Sequence, residues 1–128
     1  MTPQANALGL VAADVAAAID FYQRLGLTFG DMTGGHTEAE LTSGFKLMLD
    51  SEETVKSFLP EWTRPTGGPP VALAFQFDSP AEVDAKYDEL TKAGHHGAHE
   101  PWDAFWGQRY ATVHDPDGNG VDLYAVLP

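Results

Sequence analysis

The feature that most constrains the fold is a pattern that runs twice. An apolar run, Ala7–Ala12, is followed by Asp14, by a stretch carrying Val15, Ile19, Tyr22 and Leu25, and by Gly26. In the second half, residues 71–77 are followed by Asp78, by a stretch carrying Val83, Tyr87, Leu90 and Ala93, and by Gly94. An oxygen-bearing side chain ahead of an apolar stripe of helical period starts a helix, and a glycine that tolerates positive φ ends one. Ser79-Pro80-Ala81-Glu82 strengthens the second start, as a capping box with proline at the first helical position. Three short strand patterns follow in each half: 27–31, 37–42 and 45–50, then 95–100, 107–113 and 121–126. Ser51, Glu52 and Glu53 open a further short helix holding Val55, Phe58 and Leu59.

Strand, helix and three strands, stated twice, is a duplicated supersecondary unit of the split βαβ kind. The expected fold class is therefore α+β. The organisation expected is one domain over residues 1–128, with module one at about 1–60, a Pro/Gly-rich linker at 63–70 and module two at about 71–128. Each half is too small to bury a sheet face by itself, so the halves must pack together or pair with a second chain.

Composition narrows the function classes. Nineteen acidic residues against seven basic ones give −12, which disfavours nucleic acid, whose binding needs Lys and Arg against phosphates. The same charge favours cationic ligands through the summed field. Cysteine is absent, which excludes disulfides and thiolate metal sites and makes a reducing cytoplasm the expected location. The Ala-rich segment 7–18 has no preceding Lys or Arg and is interrupted by Asp14, so neither a signal peptide nor a membrane span is expected.

The segment YATVHDPDGNGVDLYAVL, 110–127, reads as a hairpin around Asp115-Pro116-Asp117-Gly118. Proline presets φ at the second turn position and Gly118 supplies the positive φ that follows. Val121, Leu123 and Ala125 alternate with Asp122 and Tyr124, which sends a carboxylate and a phenol to the face opposite the core. Charge on an otherwise apolar strand is costly unless it is wet or paired, so Asp122 is a candidate to line a site. By the same alternation Tyr110 and Thr112 share its face, and Gln76, between Phe75 and Phe77, points away from the helix-side core. Trp102, Phe105 and Trp106 crowd the stretch before the hairpin. The expected small-molecule pocket is walled by Gln76, Tyr110, Thr112, Asp122 and Tyr124, with Trp102 and Trp106 at its mouth; the competing reading is that Asp122 only accepts a hydrogen bond from a neighbouring strand and that both indoles pack in a dimer seam. Among the histidines, His95 and His96 read as surface residues, and His114 with Asp122 is the best available pair for a metal. No nucleophile motif is present: Ser43, Ser51, Ser57 and Ser79 read as turn or cap residues, and no GxSxG occurs.

The stretches ADVAAAIDFYQRLGL, LAFQFD and EPWDAFWGQRYATVHDPDGNGVDLYA, in this order and spacing, resemble the vicinal oxygen chelate superfamily. That group includes glyoxalase I, extradiol dioxygenases, fosfomycin-resistance transferases and bleomycin-resistance proteins. The resemblance spans nearly the whole chain and implies paired βαβββ modules whose curved sheets enclose a cavity, in a homodimer. It also implies up to four metal ligands, His and Glu, at positions that fall here on Ala7, Met48, Ala72 (or Val71) and Asp122. A divalent ion wants N or O ligands from three or more groups, and one carboxylate does not supply them. The expectation is thus a protein with no metal and no cofactor, resembling the bleomycin-resistance members and sequestering an aromatic or cationic compound such as an antibiotic. The alternative is a glyoxalase-like lyase or isomerase, or a dioxygenase-like enzyme, with a degenerate or relocated metal site.

Overall fold

A computed structural model describes residues 2–68 and 71–128; the last two linker prolines expected at 69 and 70 lie outside the described residues. The chain divides into two compact units between Thr66 and Gly67.

The first unit has strands β1 (Ala7–Ala12), β2 (His36–Thr42) and β3 (Phe45–Ser51), and helices α1 (Val15–Gln23) and α2 (Glu52–Phe58). Strand β3 is central, parallel to β1 and antiparallel to β2. Both helices start where the sequence puts an oxygen. The Asp14 carboxylate accepts the Ala17 N–H at 3.1 Å, and the Ser51 hydroxyl accepts the Thr54 N–H at 3.1 Å. Leu10, Ala12, Leu47 and Leu49 from the sheet, with Ala18, Phe21, Tyr22 and Val55 from the helices, form the core. The α1 stripe keeps Tyr22 from the expected set but is rotated toward Phe21. Phe21 and Tyr22 are fully buried, edge to face at 5.0 Å, whereas Val15, Ile19 and Leu25 are half-buried. Two adjacent aromatic rings carry more apolar area than the aliphatic residues, and the helix turns to bury them.

One expected strand shrinks. Residues 27–31 form a single bridge, Phe29 to Ala39, instead of a ladder. The buried Thr37 hydroxyl donates to the Gly30 carbonyl at 2.9 Å, and the Gly30 N–H reaches the Glu38 carbonyl at 2.9 Å. A side-chain donor thus takes a backbone acceptor that a longer strand would need.

The second unit has strands β4 (Ala72–Gln76), β5 (Gly97–Ala104), β6 (Gln108–His114) and β7 (Gly120–Val126), with helix α3 (Pro80–Lys92). The strand order is β4-β7-β6-β5; β4 runs parallel to β7 and the other pairs are antiparallel. Ser79, rather than Asp78, caps α3: its hydroxyl accepts the Glu82 N–H at 3.4 Å and donates to the Glu82 carboxylate at 2.8 Å. Helix α3 packs on β5, β6 and β7, burying Val83 and Leu90 with Ala111, Val113, Val121, Leu123 and Ala125. Strand β5 begins and ends later than residues 95–100, so Trp102 sits in the sheet and only Phe105 and Trp106 lie in the β5–β6 turn.

The 115–118 turn fixes the β6–β7 register. Asp115, 4% exposed, accepts the Asp117 and Asn119 N–H groups and the Asn119 side-chain amide, each at 2.9 Å. The Gly118 N–H closes on the Asp115 carbonyl at 3.0 Å, with Gly118 at φ 83°.

Candidate functional site

Helix α3 packs on one face of the second sheet over β5, β6 and β7, which leaves the other face as the open one. The pairing register sets that open face out in rows. Ala74, Asp122, Thr112 and His99 form one row, and Gln76, Tyr124, Tyr110 and Trp102 form the next. Irregularities in β5 on either side of His99 keep His99 and Trp102 in these rows although they stand three positions apart in sequence.

Asp122 is the polar centre. One carboxylate oxygen accepts the Tyr110 hydroxyl at 2.7 Å and the other accepts the Thr112 hydroxyl at 2.9 Å. Both donors are neutral, and among the described residues Asp122 has no cationic partner. The Tyr110 phenol is pushed up to about 12, first by its partial burial and then by its bond to the Asp122 carboxylate. Around this pair runs a chain of rings. Tyr110 stacks on Tyr124 at 5.9 Å, and Trp106 meets Tyr110 edge-on at 5.4 Å. Trp102 meets Trp106 edge-on at 5.6 Å, and His99 tilts over Trp102 at 5.4 Å. Trp106 is held in place because its indole N–H donates to the Gln108 side-chain oxygen at 2.8 Å. Of the seven residues expected to line a pocket, six are thus connected by these hydrogen bonds and ring contacts. Gln76 lies beside Tyr124 in register, exposed on the outer strand. His114 is one row away from Asp122 and its ring meets His96 instead.

The open face of the first unit carries a cluster that the sequence reading passed over. The His36 ring spans two carboxylates, with Nδ1 2.6 Å from Asp50 and Nε2 3.0 Å from Glu38. Lys46 adds an ion pair to Glu38 at 3.1 Å. The hydrogen bonds to Glu38 and then to Asp50 hold the His36 pKa above the usual imidazole range. Glu38 is held below its usual range, by His36 first and Lys46 second. With the ring protonated, two cations face two anions and the cluster neutralises itself. Alternation was the available signal: His36 and Glu38 on one strand face Lys46 and Asp50 on the next.

The positions at which the resemblance puts metal ligands can be tested directly. Ala7 and Met48 are half-buried on β1 and β3, and Ala72 is exposed on β4 beside Gly120. They offer two methyls and a thioether, and both Asp122 oxygens already accept hydroxyl bonds. These residues do not fit a divalent ion bound as in the family's enzymes. Among the described residues no three His, Asp or Glu side chains converge to hold one.

Comparison with known proteins agrees with this architecture. Residues 4–123 match the family profile described as Glyoxalase/Bleomycin resistance protein/Dioxygenase superfamily. An uncharacterized protein of Mycobacterium bovis is 32% identical, the match covering 89% of this chain and 78% of that protein. An uncharacterized protein of Mycobacterium tuberculosis is 32% identical over 89% of this chain and 69% of its own length. Among solved structures, a glyoxalase/bleomycin resistance protein/dioxygenase from Nocardioides superposes with a TM-score of 0.78 at 27% identity, covering 99% of this chain and 85% of that one. A family enzyme from Burkholderia phytofirmans reaches 0.84 at 19% identity, over 95% and 98% of the two chains, and shows the shared fold.

Proposed function

Because the chain belongs to the Glyoxalase/Bleomycin resistance protein/Dioxygenase superfamily, we propose that it is one of the members that bind a small molecule without a metal. The ligand class is an aromatic cation, of which a basic antibiotic is one example. The observation that carries this reading is the Asp122 carboxylate, which has no cationic partner among the described residues, on the face that carries Tyr110, Tyr124, Trp102 and Trp106. Each carboxylate oxygen has two acceptor directions, and the Tyr110 and Thr112 hydroxyls each take one. The remaining directions suit a ligand N–H, and charge-assisted bonds of that kind are the stronger ones. A flat ring on Trp or Tyr adds about 0.5–1.5 kcal/mol beyond its burial. A cation over the same rings gains about 0.5–2 kcal/mol, according to its desolvation. The net charge of −12 accelerates the encounter at low salt. The form proposed is a cytoplasmic homodimer, as in the family, and sedimentation velocity tests the dimer.

The experiment is a titration of cationic aromatic compounds against EDTA-treated protein, followed by Trp fluorescence. A ligand should quench Trp102 or Trp106, and Asp122→Asn and Trp106→Ala should each weaken it at least tenfold. Binding indifferent to both substitutions removes this face as the site. Binding that EDTA abolishes favours the lyase or dioxygenase reading instead.

A further inference from the structure

At one end of the same sheet lies a pair of side chains that the small-molecule reading does not use. The ladder between β5 and β6 pairs Gly97 with Val113. One rung further, the His114 N–H donates to the His96 carbonyl at 2.9 Å, so His96 and His114 stand directly across from each other. Their rings are 4.9 Å apart between centres and inclined at 50°. Neither ring hydrogen-bonds to another protein group among the described residues. This sets them apart from His36, which spans two carboxylates, and from His99, whose Nδ1 is 2.7 Å from the Glu100 carbonyl. The neighbour of His114 on β7 is Gly120, which puts no side chain beside it. His96 is exposed and His114 half-buried, so solvent reaches the pair.

We propose that His96 and His114 form a two-imidazole chelate for a borderline divalent cation of the zinc, nickel or copper class. Neutral imidazole suits these ions, and water fills the remaining coordination positions. With metal–nitrogen bonds of about 2.0–2.1 Å, an ion in line with each ring lies about 3.2 Å from each ring centre, and the observed separation then subtends about 100°. That angle falls between square and tetrahedral values. Cross-strand neighbours keep their spacing through the ladder, so the two ligands are brought together before the ion arrives. Ligation needs the unprotonated rings, so acid competes with the metal. The site is separate from the positions at which the family's enzymes hold their ions and stands whether or not an aromatic cation binds near Asp122.

The test is zinc chloride added to the metal-stripped full chain, with calorimetry and long-range 15N spectra of the five imidazoles. Two rings should shift together at about one equivalent, and their signals should be the ones missing from His96→Gln and His114→Gln. Each of these variants should bind zinc at least tenfold more weakly, while His99→Gln and His36→Gln stay within twofold of the parent. Circular dichroism checks that the variants remain folded, and His96→Gln, at an exposed position, carries the conclusion if His114→Gln does not. Shifts confined to His36, His95 or His99, zinc affinity within twofold of the parent in His96→Gln, or no binding at 1 mM zinc would each overturn the proposal.

Discussion

The open faces of the two sheets treat charge in opposite ways. On the first, His36, Glu38, Asp50 and Lys46 close into a self-neutralising cluster across β2 and β3. On the second, among the described residues Asp122 is held by two neutral hydroxyls, one of them on the ring that stacks with Tyr124. A charge already paired within the protein gains little from an incoming ion. A carboxylate solvated by two hydroxyls keeps its field directed outward. Repeated topology need not repeat a site: the first face closes its charges on one another across two strands, and the second holds a carboxylate with two hydroxyl donors and no cationic partner among the described residues.

The largest effects should come from the cores beneath both faces. Leu47→Ala and Leu123→Ala remove fully buried side chains, one in each unit, and each should cost about 2–5 kcal/mol in urea unfolding. A cost below about 1 kcal/mol in either would show that its face lacks a packed support. Next comes the turn that sets the Asp122 register. Gly118→Val places a β-branched residue at φ 83° and should cost about 1–3 kcal/mol, read as a lowered melting temperature.

A spectrophotometric titration sharpens the contrast in charge. One tyrosine should ionise near 12 in the parent, and Asp122→Asn should lower that value without restoring it fully, because burial is the larger cause and remains. An unchanged value would detach Tyr110 from Asp122.

The smallest effect belongs to the closed cluster. The folded His36 pKa is raised, so its protonated ring adds stability that is fully present below the unfolded value of about 6.5 and is lost as pH rises through the folded value. The stability gap between parent and His36→Gln should therefore be largest on the acid side of neutrality and vanish in alkali. It should shrink again in strong acid once Glu38, whose pKa is lowered, takes up a proton. It should be the smallest of these effects, since both side chains of the pair are open to solvent, which screens their attraction. A gap that grows with pH would contradict the cluster.

Much of the second unit was legible in the sequence. Asp122, Tyr124, Tyr110 and Thr112 follow from strand period alone, because a period of two leaves no choice of face once Val121 and Leu123 are buried. Trp102 was legible as an aromatic near the site but not as a sheet residue; the signal available was Pro101, which lies within the second β5 irregularity and is the residue type that marks a bulge or an edge strand. In the first unit, the expected α1 stripe held Tyr22 but missed Phe21, whose buried ring leaves Val15, Ile19 and Leu25 half-buried. Residues 27–31 misled because a hydroxyl from Thr37, distant in sequence, claims the Gly30 carbonyl.

By itself the sequence determined the duplicated plan, the helix starts at Asp14 and Ser79, the glycine-bearing turn and the sidedness of β7. All of these depend on interactions between residues a few positions apart. The tertiary structure decided which charges meet. Asp50 lies fourteen residues from His36, and Asp122 lies twelve from Tyr110 and ten from Thr112. Their pairing rests on strand register, which is set by burial of the opposite sheet face and by the turn at Gly118 rather than by the polar residues themselves.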